Sequence, residues 1–509
     1  MRERFDIFCS YAHVDREVVG RLVAALEACG LAVYRDVEEI VDFESVSRSV
    51  ERGLSRSKVL VAYYSSSYPT RRACQWELTA GFLAAQREGD PRRRVLVVNP
   101  EEGAGHIEPV ELRDELFVAA ATDERGVEDK ARRIAEHVAG VDGGLGSVVP
   151  LVPPAWYPEP RAGSDRFVGR LAEMWTVHSA LHASGLGMIT GAVSAVAQVR
   201  GLGGVGKSLL AEEYALRFGA AYPGGVFWLR GFGDGEGSLD AAAREAELER
   251  QLEGFAARLG LEVADPDPEK VRGALARWLG AQAQPCLWVV DDLPSGLDGE
   301  VGRWLAPHPA AKTLITSRSR EYDALGRRTD LGGLPATDAL ELLTRRHPPQ
   351  TEEEAMVAGA IAAELGYHPL ALDVAGAALR YQSFEGFLVA RDGQADRGIE
   401  LMQRAAEEWA SRGYKLCVPH DRAHLAEICL AAGRLEDARR ALDEGTAVSR
   451  ETGMAYYDAE LLRLRGELLA ASGAPSPEVH RILREAMEVA SRQGATALGL
   501  RAERSLQRL

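Results

Sequence analysis

Between residues 5 and about 140, short apolar runs alternate with stretches whose apolar residues recur every three or four positions. Phe5–Ser10, Leu31–Tyr34, Val59–Tyr64 and Val95–Val98 read as buried strands, and Val14–Cys29, Ser47–Leu54 and Arg72–Arg87 read as helices. The alternation predicts a βαβα order in which parallel strands are covered on both faces by crossover helices. Residues 142–165 are rich in Gly and Pro, which predicts a partly extended connector. A second α/β region follows over 166–385: an apolar run to Val199, a glycine-rich loop, a helix from Lys207 to Phe218, then strands at Val226–Leu229, Cys286–Val290 and Thr313–Thr316. From residue 386 to 509 the pattern is wholly helical, and Gly393, Gly433 and Gly473 recur every 40 residues. That period predicts stacked helical hairpins, each with an apolar face that only its neighbours can bury.

Composition narrows the function classes. A chain of 509 residues is too long for one core. Its net charge of −16 provides no overall basic field, so nucleic acid and anionic membrane are not expected as partners. The six cysteines contain no C-x-x-C pair and are scattered along the chain, as reduced thiols are, which predicts a cytoplasmic protein. The apolar stretch Met188–Val199 is broken by Thr190, Ser194 and Gln198 and is too short to span a bilayer.

The run Gly201-Leu-Gly-Gly-Val-Gly-Lys-Ser208 fits the phosphate-cradling pattern G-x-x-x-x-G-K-[ST]. Several backbone N–H groups must converge on a phosphate, and Gly201, Gly203, Gly204 and Gly206 permit this by tolerating positive φ and leaving no side chain in the way. Val205 belongs to the same loop. Lys207 is expected to neutralise the β/γ phosphates of ATP or ADP, and the Ser208 hydroxyl to ligate Mg²⁺. Cys286-Leu-Trp-Val-Val-Asp-Asp292 is the apolar strand ending in acid that completes such a site. Asp291 is the expected Mg²⁺-side carboxylate, and Asp292 would orient or activate water.

Residues 164 to about 380 resemble STAND-class ATPases of the NB-ARC type. Phe167-Val-Gly-Arg170 is similar to the family's first motif near the adenine, which implicates Val168 and Arg170. Thr316-Ser-Arg318 resembles its sensor arginine, and Gly366-Tyr-His-Pro369-Leu-Ala-Leu372 resembles the motif whose proline packs near the base. The segment after Leu372 has no winged-helix subdomain or His-Asp motif of the kind that locks ADP in many members.

Residues 4 to about 140 resemble TIR domains, in Phe5-Asp-Ile-Phe-Cys-Ser-Tyr11, Val33-Tyr-Arg-Asp36, Tyr64-Ser-Ser-Ser-Tyr68 and Cys74-Gln-Trp-Glu-Leu78. In the enzymatic branch of that family the glutamate of the C-x-x-E-L helix cleaves NAD⁺. The resemblance implies Glu77 as the catalytic residue, with Ser10, Tyr11 and Asp36 lining the NAD⁺ pocket. Glu77 could instead lie on a solvated helix face and pair with Arg71 or Arg72. Trp76 is expected to point into the core, and the 36–45 loop lacks the family's usual Pro-Gly.

The expected architecture is therefore multidomain: a flavodoxin-like α/β TIR domain over 1–141, a linker over 142–165, a P-loop STAND NTPase with a helical subdomain over 166–385, and TPR-like repeats over 386–509. The resemblances imply an immune receptor of anti-phage type. Its repeats would sense a protein or peptide trigger, its ATP-bound switch would drive homo-oligomerisation, and its clustered TIR domains would cleave NAD⁺ to nicotinamide and ADP-ribose or a cyclic isomer. A non-catalytic TIR scaffold under the same switch is the alternative.

Overall fold

The computed structural model describes residues 4–35, 46–113, 117–119, 123–148, 154–161, 163–164, 167–182, 195–233, 239–263, 267–282, 284–297, 299–379, 399–400, 418–452, 455–493 and 495–508. Two compact units divide the chain. One comprises Met1–Ser164, Arg170–Arg200 and Ser208–Asp330; the other comprises Asp165–Gly169, Gly201–Lys207 and Leu331–Leu509.

The first unit contains two sheets. Strands β1 (Phe5–Tyr11), β2 (Val33–Tyr34), β3 (Ser57–Tyr63), β4 (Val95–Asn99) and β5 (Phe117–Ala119) are ordered β2-β1-β3-β4-β5, and every pair is parallel. Helices α1 (Arg16–Ala28), α2 (Val46–Arg56) and α3 (Arg72–Glu88) connect β1 to β2, β2 to β3 and β3 to β4, and α4 (Glu124–Ala139) follows β5. Side chains alternate across the sheet. Ile7, Cys9, Val59 and Val61 pack with Val19, Leu22 and Val23 of α1 and with Ala131, Ile134 and Val138 of α4. Helix α3 lies close against β3, because Gly81 has no Cβ: one placed there would stand 2.9 Å from Leu60 Cδ1.

Helix α3 is buried on more than one side, from Cys74 and Glu77 through Phe82 to Ala85. Away from its own sheet it meets α5 (Leu171–His182). Phe82 and Trp175 pack edge to face at 5.0 Å, and Gln86 Oε1 lies 3.0 Å from His178 Nε2. Burial of each such aromatic contributes about 1.5–3 kcal/mol, so α3 is held firmly along its length.

The second sheet comprises β6 (Trp156–Tyr157), β7 (Val196–Gly201), β8 (Val226–Arg230), β9 (Cys286–Leu293), β10 (Ala311–Ser317) and β11 (Arg327–Leu331), ordered β11-β7-β10-β9-β8-β6. Helices α6 (Lys207–Arg217), α7 (Ala241–Arg258) and α8 (Pro268–Gln282) accompany it, and Phe227, Phe255, Leu275, Trp288 and Val290 share one core. Strand β6 falls in the stretch expected to be a linker. It pairs with β8 because Tyr157 stacks on Phe227 at 4.7 Å and Trp156 on Trp228 at 6.3 Å.

The other unit is helical, with α9 (Ala336–Thr344), α10 (Glu352–Glu364), α11 (Pro369–Leu379), α12 (Val418–Ala431), α13 (Leu435–Thr452), α14 (Asp458–Ala471), α15 (Ser476–Gln493) and α16 (Thr496–Gln507). One apolar cluster runs through Leu343, Leu372, Cys429, Leu442 and Leu464 to Leu498. Gly433 and Gly473 explain the sequence period. Each ends a helix at φ near +75° (73° and 77°), with the following N–H reaching back to Cys429 O or Leu469 O. This left-handed cap favours glycine. Gly393 lies outside the described residues. Among the described residues no helix is long and apolar enough to cross a membrane.

Candidate functional site

In the first sheet the chain passes from β1 outward to β2 and then returns to β3 on the other side. Ligands bind open parallel sheets outside the carboxyl ends of the strands at such a switch point. Ser10 and Tyr11 end β1, and β3 runs through Tyr63 into the turn that carries Tyr68 and leads to α3. Ser65 Oγ anchors this turn by donating to Asp15 Oδ2 at 2.6 Å. Glu77, in the second turn of α3, is only 6% exposed and faces inward, not toward a solvated surface.

The Ser10 hydroxyl donates to Glu77 Oε2 at 2.5 Å and lies 2.6 Å from the Tyr68 hydroxyl, whose oxygen also stands within donating distance, 3.2 Å, of Cys74 O. Cys74 Sγ donates to Tyr11 O at 3.3 Å. Burial pushes the thiols of Cys9 and Cys74 up to about 12 and the Tyr68 phenol well above its usual range, with the charge of Glu77 adding to each. At neutral pH these three neighbours are uncharged, so Glu77 is a buried acid beside neutral thiols and a neutral phenol. Such a carboxylate stabilises one developing positive charge strongly. Tyr11 is half-buried beside this group. Asp36 and the 36–45 loop lie outside the described residues. Trp76, expected in the core, is 39% exposed: the helix turns Gln75, Glu77 and Leu78 inward, and Trp76 takes the outer face.

The phosphate-loop residues of the helical unit make a cradle that side chains would fill. A Cβ on Gly201 would stand 2.7 Å from Leu331 O, and one on Gly204 would stand 2.9 Å from Leu370 Cδ2. Gly204 and Gly206 adopt φ of 75° and 96°. Lys207 is 6% exposed and folds over its own loop, donating to Gly201 O and Leu202 O at 2.9 and 2.8 Å. Val205 is buried beside Gly201. Pro369 opens α11, which brings His368 and Leu370 against the loop, and His368 Nε2 donates to Gly203 O at 3.1 Å. Val168 packs into the same unit's core with Leu334 and Ala339.

The acidic residues belong to the other unit. Asp291, at the end of β9, accepts hydrogen bonds from Ser208 and from Thr316 Oγ1, the latter at 2.7 Å. Burial pushes its carboxyl up, and the two hydroxyls pull the other way. Asp292 N–H donates to Thr316 Oγ1 at 2.8 Å, and its backbone is left-handed, φ 57°. A non-glycine residue held there costs about 1–3 kcal/mol, a strain that gathers at functional sites. Arg318 Nε lies 3.9 Å from Asp292 Oδ1. Arg170 is buried and pairs with Glu173 at 2.8 Å. A hydroxyl plus one carboxylate would suit Mg²⁺, which keeps several waters and takes further oxygens from the phosphates of its nucleotide.

Residues 7–133 match the family model described as TIR domain. This N-terminal segment is a TIR domain. Regulatory protein AfsR of Streptomyces coelicolor is 31% identical over 223 residues, 43% of this chain and 21% of that protein. Regulatory protein AfsR of Streptomyces griseus is 32% identical over 201 residues, 38% of this chain and 19% of that protein. An uncharacterized protein of Rhizobium meliloti is 44% identical over 78 residues, 15% and 8% of the two chains. The chain thus spans about a fifth or less of these relatives. A crystal structure of a STAND protein with a tetratricopeptide repeat sensor from Pyrococcus horikoshii aligns over 66% of this chain and 72% of its own, at 15% identity and a TM-score of 0.27.

In the TIR domain, the sequence motifs located Ser10 and Glu77, which the fold brings into direct contact across 67 positions. They did not assign a role to Tyr68, although it ends the quoted Tyr64-Ser-Ser-Ser-Tyr68 run. Nor did they single out His368 within Gly366-Tyr-His-Pro369, or Thr316, the hydroxyl that joins Asp291 to Asp292.

Proposed function

We propose that this chain is a nucleotide-switched enzyme whose TIR domain cleaves NAD⁺ between nicotinamide and ribose. The observation that carries the reading is the buried Glu77, fixed by Ser10 at the switch point of the TIR sheet. As the C–N bond breaks, its electron pair leaves with nicotinamide and positive charge develops on the anomeric carbon. A desolvated carboxylate favours that charge more than it favours the ground state. Nicotinamide departs neutral and needs little acid assistance. Water, or an atom of the same nucleotide, then takes the anomeric carbon, giving ADP-ribose or a cyclic isomer.

In this reading ATP or ADP is held by Gly201–Ser208, with Mg²⁺ on Ser208 and Asp291 and with Asp292 and Arg318 beside the terminal phosphate; Val168, Arg170 and Pro369 would lie toward the base. The bound nucleotide supplies the charge that distinguishes the two switch states. The stacked hairpins offer a surface for a protein or peptide trigger. The similarity to regulatory proteins supports the regulatory half. Gathering TIR domains on an oligomer raises their local concentration to roughly millimolar, sufficient for weak self-contacts to complete active sites. The chain would work in the cytoplasm, in defence of anti-phage type.

The competing reading is a non-catalytic scaffold, favoured by exposed Trp76, since an aromatic side chain with a polar tip suits a contact surface. The test is nicotinamide release from NAD⁺ by concentrated protein with a crowding agent, for the native chain and Glu77→Ala. Turnover in the native chain alone supports the enzyme; equal and negligible turnover supports the scaffold.

A further inference from the structure

Tyr68 is wholly buried nine positions before Glu77, and its hydroxyl ends a chain of short contacts that leads to the carboxylate. Proton accounting gives that chain a direction. Ser10 has one hydroxyl proton, and Glu77 Oε2 receives it. The 2.6 Å contact between Ser10 and Tyr68 must then use the phenol's proton, with Tyr68 donating to the Ser10 oxygen. Hydrogen bonds aligned this way polarise one another and strengthen the last bond, the one to the ionised carboxylate. When Glu77 is protonated the direction reverses: the acid donates to Ser10, Ser10 to Tyr68, and Tyr68 to Cys74 O, 3.2 Å away. Either state uses every proton, and only hydroxyl hydrogens rotate.

We propose that Tyr68 is a positioning residue that acts through Ser10 to hold the Glu77 carboxylate ionised and correctly oriented for NAD⁺ cleavage. This rests on the reading of the TIR domain as an NAD⁺-cleaving enzyme. The groups around Glu77 make the effect readable. The thiols of Cys9 on β1 and Cys74 on α3, and the Tyr68 phenol itself, stay protonated through neutral pH. Arg35, Arg71 and Asp15 act electrostatically on those thiols and are retained in every variant below.

The experiment uses the full chain, with nicotinamide release under crowding measured for the native protein, Tyr68→Phe, Ser10→Ala, the double variant and Glu77→Ala, after circular dichroism confirms folding. Tyr68→Phe is expected to lower kcat roughly tenfold with little change in KM, and to move the acid limb of the pH profile upward. In the Ser10→Ala background the same change should cost less than about twofold, because the path to Glu77 is already cut. An equal loss in both backgrounds, or an unmoved acid limb, overturns the proposal. The second readout needs no turnover: the carboxyl ¹³C titration of Glu77, assigned by its absence in Glu77→Gln. Its midpoint should rise in Tyr68→Phe and should not rise further when Tyr68→Phe is added to Ser10→Ala; an unchanged midpoint in Tyr68→Phe overturns the coupling. Native turnover no greater than that of Glu77→Ala overturns the enzymatic reading, and with it the catalytic use of Tyr68, whereas the titration reports on the hydroxyl chain alone.

Discussion

Glu77 is a buried and Asp291 a half-buried carboxylate, each at the carboxyl edge of a parallel sheet, and both accept hydrogen bonds from hydroxyls. Their surroundings differ. Glu77 rises from a helix into a lining whose two thiols and phenol remain neutral. Asp291 ends a strand, has Asp292 next to it and Ser208 bonded to it, and burial works against its charge. An acid with hydroxyl partners and a second acid beside it suits a bound divalent cation; a buried acid among neutral thiols and a phenol suits a transient positive charge on substrate carbon. In the proposed reading the same residue chemistry serves different ends according to what is packed around it.

That contrast can be broken in order of expected effect. Glu77→Ala should reduce nicotinamide release by about a thousandfold while leaving ATP affinity as in the native chain; comparable losses in both would erase the distinction between the two acids. Lys207→Ala should weaken ATP binding roughly a hundredfold, measured by calorimetry, and should abolish assembly in light scattering. Asp291→Asn should weaken Mg²⁺-dependent ATP binding about tenfold yet raise the melting temperature of the nucleotide-free chain by about 2–4 °C. The sign follows from its raised carboxyl. Protonation is easier in the folded chain than in the unfolded one, so the ionised aspartate destabilises the fold at neutral pH, and the advantage of Asn should vanish as pH falls below the ordinary 3.8. A melting temperature unchanged at pH 7 would show that Asp291 carries no such burden. The smallest effect belongs to the repeats. Gly473→Ala forces a side chain into a left-handed cap and should cost about 1 kcal/mol, seen in thermal melts, with Glu77 turnover and ATP affinity intact.

Much of the fold was legible because its strands are apolar runs and its helices carry a clear period. β1, β3, β4, β8, β9 and β10 all fall on stretches that read as strands. Among the edge strands, β2 falls on Leu31–Tyr34, which reads as a strand, whereas β11 and β6 were not legible, for physical reasons. β11, Arg327–Leu331, is largely charged and half-exposed, as an edge can be. β6 is two aromatic residues in a Pro-rich stretch, paired only because Trp228 and Phe227 lie beneath them. In the site, Glu77 and Ser10 were visible as motif letters. Tyr68 was not, because its meaning comes from a contact 58 positions away that no local pattern encodes. Trp76 misled for the opposite reason: an apolar residue inside a motif invites burial, while the helix phase sends it outward.

The central claim is that nucleotide on the phosphate loop governs whether TIR carboxylates gather into working sites. The most direct test is nicotinamide release by the full chain with ATP, followed across protein concentration for the native protein and Lys207→Ala. Activity per chain that climbs steeply with concentration in the native protein, and stays near zero in Lys207→Ala, is the predicted result. Activity per chain that is constant down to nanomolar protein and identical in the two would contradict the account.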